Sequence, residues 1–283
     1  MKLKFKLMAA AVALAASAGA NAAEIVNSQG GNGGLFFTVY DIGADDASTA
    51  DDRAYVLNLG SLLNGGAISN WGGTITNPSV PLAADKQGFG TIYSVGADAN
   101  MQSFLAASTD TSRLRWNIGA FDVSGTDRAL ITAPSIASPG QYTGFRTLGG
   151  TADVYLAAIN PFLTTSDSAV LLGADANISK WGDTIAGRTT TTPMDFTTTA
   201  GLGESLNFYM LSEKFATSNT TVAVTQQQYM ADANTAMQWT LANDGNLSYG
   251  AVAAIPEPSE YALMLAGLGM LGFMARRRLN NRA

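Results

Sequence analysis

The residues able to do chemistry in this chain are few, and their types narrow the field at once. The 283-residue sequence contains neither histidine nor cysteine. A Ser-His-Asp triad, a Cys-His pair, an imidazole-ligated zinc and a thiolate cluster are thereby excluded, as is any disulfide. Catalysis would have to rest on carboxylates, lysine, tyrosine or a Ser-Lys pair. Between the two ends of the chain, Glu204 and Glu213 are the only glutamates after Glu24, and neither sits in a recognisable catalytic setting. A glycosidase pair must stand roughly 5 to 9.5 Å apart, a distance that lies in three dimensions and not in the sequence. We expect no catalytic residues and a non-enzymatic body, with a glycan hydrolase the remotest alternative.

Two further groups invite a binding role. "DIGADDASTADD" packs Asp41, Asp45, Asp46, Asp51 and Asp52 into twelve residues. Such hard oxygen ligands suit Ca²⁺ outside the cell. The EF-hand order of alternating acids, central glycine and terminal glutamate is missing, so a solvated hairpin loop that needs no cofactor is the favoured reading. Trp71 in "SNWGGTI" and Trp181 in "SKWGDTI" occupy echoed settings. An indole face can stack on the C–H face of a sugar, which makes these two the candidate carbohydrate platform. Tryptophan in a β protein is more often half-buried core, and that reading stands beside the first.

The elements that must position these residues have the periodicity of strands. "LRWNIG" sets Leu114, Trp116 and Ile118 on one face and Arg115 and Asn117 on the other. "LFFTVYD" aligns Leu35, Phe37 and Val39, "AYVLNLG" aligns Tyr55, Leu57 and Leu59, and "SLNFYML" aligns Leu206, Phe208 and Met210. "QWTLANDGNLSYG" predicts a hairpin turning at Asp244-Gly245. Met101, Phe104 and Leu105 after a capping Asp98 predict a short helix. Thr151 predicts another turn or two carrying Tyr155, Ala158 and Ile159, stopped before Pro161. The threonine-rich 188–201 segment predicts a loop or exposed edge. The expected fold class is all-β, a β-sandwich or jelly-roll-like body with one or two short helices. Weak echoes recur: "GADAN" at Gly96 and Gly173, and an aromatic-Asp start followed by Asp52-Arg53-Ala54 or Asp127-Arg128-Ala129. Their spacings share no single period, so this is no solenoid. Reused hairpins or an old duplication would both produce them.

Both ends read as targeting segments. Lys2, Lys4 and Lys6 precede an apolar or small-residue run from Leu7 to Ala20, and Ala20-Asn21-Ala22 supplies the small-x-small pattern of a signal peptidase site. At 14 residues that run is short for a span of about 20, so a cleavable signal over 1–22 is expected, with the body at 23–252. Setting aside the charged residues of both ends leaves 9 basic and 20 acidic residues, a net of −11 against −6 for the whole chain. Such a surface repels nucleic acid and anionic lipid. Near the C-terminus, Pro256-Glu257-Pro258 precedes an apolar helix over 261–275 and then Arg276-Arg277-Arg278. The helix is short for a membrane span, but snorkelling arginines extend it, and the cluster is a stop-transfer, positive-inside signal. Pro256 and Pro258 hold the preceding backbone extended, a shape that suits a protease or transpeptidase.

In order, spacing and terminal position, the 253–283 segment resembles the PEP-CTERM sorting signal. The resemblance implies recognition by an exosortase, a membrane transpeptidase of bacteria that make exopolysaccharide. It also implies processing at the motif after transient inner-membrane anchoring, and release or transfer to the cell surface or biofilm matrix. It assigns no activity to the body, for which a structural or adhesive role is expected, with an exopolysaccharide-binding module as the alternative.

Overall fold

The computed structural model describes residues 24–28, 33–41, 51–63, 90–123, 127–136, 140–143, 145–173, 198–213, 221–232 and 234–251, together with positions 268 and 270. Eleven strands form one antiparallel sheet: β1 (Phe36–Asp41), β2 (Arg53–Asn58), β3 (Gly90–Val95), β4 (Arg115–Asp122), β5 (Arg128–Ala133), β6 (Gly140–Thr143), β7 (Ser168–Leu172), β8 (Ser205–Glu213), β9 (Thr221–Gln228), β10 (Gln238–Leu241) and β11 (Leu247–Ala251). Their order is β3-β11-β10-β8-β5-β4-β1-β2-β7. The sheet branches at β8. One edge of β8 pairs with β5 over Asn207–Ser212, while the other pairs first with β10 over Ser205–Asn207 and then with β9 over Tyr209–Glu213. Strand β6 extends the branch from β9.

The all-β expectation therefore holds at the level of a mostly β body, but the arrangement is one continuous curled sheet and not two facing ones. Alternation along a strand reports which side chains share a face, and it is the same for both arrangements. The curl is visible at helix α1 (Ala99–Ala107). It follows β3 at one end of the strand order and packs on β2 and β7 at the other. Asn100 Nδ2 donates to the Ser168 carbonyl of β7 at 3.0 Å.

The sheet buries side chains on both faces. Leu35, Phe37, Val39, Trp116, Ile118, Phe208, Met210, Trp239 and Tyr249 belong to the core on the α1 face. Phe36, Tyr40, Val56, Ile131 and Leu211 belong to the other, covered by Ala152, Tyr155, Leu156 and Ile159 of α2 (Phe145–Ile159). Aromatic edges lock the first core: Phe37 meets Trp116 edge-on at 6.1 Å, and Trp239 stacks on Tyr249 at 4.7 Å. Double coverage separates two residues that share a face. Arg115 is exposed as its alternation requires, yet Asn117 on the same face of β4 is fully buried.

Helix α1 starts where its cap predicts, with Asp98 Oδ1 accepting from Met101 N at 2.7 Å. Helix α2 begins at Phe145, six residues before Thr151, and runs through Gly149-Gly150 before a 3-10 turn at Asn160–Phe162. The glycine pair has weak helix propensity, and burial of the far half of the helix supplies what the pair lacks. The Asp-Arg-Ala echoes are equivalent hairpins. Asp41 opposes Arg53 in β1–β2, and Asp122 opposes Arg128 in β4–β5. The two hairpins meet back to back along the β1–β4 ladder. Residues Val252–Ala283 form a unit separate from this body.

Candidate functional site

Among the described residues, three places that gather polar side chains bear on function. The first is the β1–β2 end with the aspartates. Asp41 is buried with its carboxylate 3.5 Å from the Arg113 guanidinium, and Asp52 is buried while its carbonyl accepts from Gly173 N at 2.9 Å. Asp51 is exposed, and Asp45 and Asp46 lie outside the described residues. An arginine already faces Asp41, which works against a cation there. Among the described residues, no three His, Cys, Asp or Glu side chains gather as a metal site.

The second is a half-buried knot at the start of α1. Asp98 Oδ2 accepts from Ser168 Oγ at 2.6 Å and from the Tyr55 hydroxyl at 3.2 Å. Asn100 Nδ2 donates to Ser168 Oγ at 2.9 Å. Burial, reinforced by the Asp98 charge, raises the Tyr55 pKa well above the usual phenol value near 10. A serine hydroxyl on a carboxylate has the look of an activated nucleophile. Ser168 is only 3% exposed, however, and both Asp98 oxygens are engaged, so the knot ties β2, β7 and α1 together. Sequence reasoning found Asp98 as a cap and missed its partners, which stand 43 and 70 positions away.

The third is a polar cleft of about 380 Å³ lined by Thr111, Ser112, Arg115, Thr199, Gly201 and Glu204, among others. It lies beside the point where Ala200 bridges to Trp116. Arg115 Nη1 donates to the carbonyls of Ser112 at 2.9 Å and Leu114 at 2.8 Å. Glu204 Oε2 accepts from Gly201 N at 2.7 Å. Asp110 caps the turn that carries Ser112, and the Ser112 hydroxyl and amide lower its pKa. Glu213 lies at the far end of β8 from Glu204, nine residues on. At about 3.3 Å per residue that is roughly 30 Å, beyond any glycosidase separation. The two glutamates do not form a pair.

The remaining sequence candidates, Trp71, Trp181, Ala20, Ala22, Pro256, Glu257, Pro258, Arg276, Arg277 and Arg278, lie outside the described residues. So does the 261–275 helix, apart from Leu268 and Met270, which are helical and exposed. Among the described residues, no helix is long and apolar enough to cross a membrane. The decisive observation for this segment is a comparison. Residues 254–278 match the PEP-CTERM protein-sorting motif. The chain carries a PEP-CTERM sorting signal. This signal implies an exported protein, sorted at the membrane toward the surface with processing by an exosortase. No curated protein and no solved structure matches the chain.

Proposed function

We propose that the chain is an exported surface or biofilm-matrix protein whose body has a structural or adhesive role and no catalytic one. Its tail is a temporary handle: prolines 256 and 258 keep the grip site extended, the 261–275 helix holds it in the inner membrane, and Arg276–Arg278 stop transfer. The exosortase acts at Pro256-Glu257-Pro258. The observation carrying this reading is the PEP-CTERM match at 254–278, which begins just after β11 ends at Ala251. Replacing all three motif residues by alanine should leave full-length precursor in the inner-membrane fraction, and unaltered processing of that variant would contradict the reading.

A second reading, a module that binds exopolysaccharide, draws on the Trp-Gly echoes and on the polar cleft between Arg115 and Glu204. Trp116 and Trp239 are wholly buried, and the chain has four tryptophans. A surface quench by added polysaccharide would therefore report on Trp71 or Trp181. Titration of tryptophan fluorescence with purified exopolysaccharide separates the readings, since a flat trace counts against the module.

A further inference from the structure

The polar cleft beside Trp116 is framed by backbone. Strand β5 pairs with β4 only over Gly119–Asp122. Ahead of Gly119 the Thr132 hydroxyl takes a place in the ladder, accepting from Ile118 N at 3.0 Å and donating to the Thr198 carbonyl at 3.1 Å. Residues 198–200 then run beside β4. Trp116 N donates to the Ala200 carbonyl at 2.9 Å, and the buried Trp116 indole donates to the Gly201 carbonyl at 2.8 Å. One wall of the cleft is the Thr111–Arg113 turn. The other is the 201–204 turn, which Gly203 N ties to the Leu241 carbonyl at 2.8 Å.

Two opposite charges face this cleft without meeting. Arg115 and Glu204 are both exposed, and among the described residues no ion pair joins them. Both stand over Gly201: a Cβ there would lie 3.5 Å from Glu204 Oε2 and 3.6 Å from Arg115 Nη1. Arg115 commits Nη1 to the Ser112 and Leu114 carbonyls, which fixes the guanidinium plane. Among the described residues, its Nε and Nη2 have no partner, and neither has Glu204 Oε1. A ligand here must accept from a donor-only group and donate to an acceptor-only one across a short gap. Hydroxyls do both. We propose that the cleft holds adjacent hydroxyls of an uncharged sugar residue. One accepts from the Nε–Nη2 edge of Arg115, its neighbour donates to Glu204 Oε1, and the Thr111 and Ser112 hydroxyls line the rim. The proposal rests on the polysaccharide-binding reading and moves it from an indole platform to a hydrogen-bonding cleft. Charged sugars fit less well. The body, at −11, repels an anionic one, and a carboxylate seated on Arg115 would face Glu204.

The test is an NMR titration of the full chain with oligosaccharides of glucose, mannose or galactose, with glucuronic acid and glycine as comparisons. The natural chain should bind at least one neutral oligosaccharide, and bind it more tightly than glucuronic acid or glycine. Two variants then locate the site. Gly201→Ala sets a methyl group between the two charges at ordinary contact distance, so the chain folds with the gap filled. Glu204→Gln removes the charge and keeps an acceptor for Gly201 N. Each should weaken binding at least about tenfold, with Tm unchanged within about 2 °C. Unchanged binding in either variant overturns the proposal, as does tighter binding of glucuronic acid or glycine, or no binding of any neutral oligosaccharide. Tryptophan fluorescence with purified exopolysaccharide separates this failure from that of the reading beneath it. A quench without oligosaccharide binding overturns the cleft and leaves the module standing, whereas a flat trace without oligosaccharide binding overturns both.

Discussion

Asp98 shows how much a single residue can hold. It caps α1 through Met101 N and accepts from Ser168 and Tyr55. Asp98→Ala removes a cap of about 1 kcal/mol and strands two buried hydroxyl donors at about 1 kcal/mol or more each. For a body of this size, a loss of about 3 kcal/mol lowers Tm by roughly 6–12 °C, which thermal unfolding followed by circular dichroism checks. Tyr55 makes the second prediction at this scale. Its folded pKa is raised above the unfolded value near 10, so the folded state holds its proton longer. That stability is fully present below pH 10 and is lost as pH rises above it. Tm should fall between pH 10 and 12, and Tyr55→Phe should flatten part of the slope. Part of it will remain, because burial also raises the pKa values of Tyr93 and Tyr209. The cap was legible in the sequence because capping is local. The knot was not, because Tyr55 and Ser168 reach Asp98 only through the curl of the sheet.

Among the elements, the hairpins were the most legible. The β10–β11 turn closes as its Asp244-Gly245 pair predicts, with Gly245 N donating to the Ala242 carbonyl at 2.9 Å and Gly245 at φ +84°. A Cβ there would meet Met101 Cγ at 2.6 Å and Leu105 Cδ1 at 2.9 Å. Gly245→Ala therefore combines left-handed strain with a clash against α1, a cost of roughly 2–4 kcal/mol. The urea midpoint should drop with little change in m, and an unchanged midpoint would contradict the packing of α1 on this turn. The echoed Asp-Arg-Ala starts were legible as repeats, and the structure gives their meaning: β1–β2 and β4–β5 are paired hairpins of one design. Less legible was α2, whose Gly149-Gly150 pair hides its first turns. The choice between a sandwich and one curled sheet was not legible at all, because β1 buries all six of its residues and its alternation records which residues share a face without naming the partner layer.

The whole molecule divides its work between body and tail. Every described strand is complete by Ala251, and the sorting motif begins at residue 254. A mature chain ending at Ala253 should unfold within about 2 °C of one that retains the tail, because surface and terminal changes away from the core cost little; a large drop would show that the tail supports the fold. The tail was the most legible part of the chain, since order, spacing and terminal position are linear properties. The body's role was the least legible, since without histidine or cysteine its sites are assembled from aspartate, arginine and hydroxyl groups brought together by the sheet. The central claim is that Pro256, Glu257 and Pro258 are the grip for the sorting enzyme. Cell fractionation and intact-mass measurement of the chain carrying Pro256→Ala, Glu257→Ala and Pro258→Ala test it most directly. The account predicts tail-retaining protein in the inner membrane and loss of the surface form. A mature surface product of unchanged yield and mass, apart from any substituted residues it retains, would contradict it.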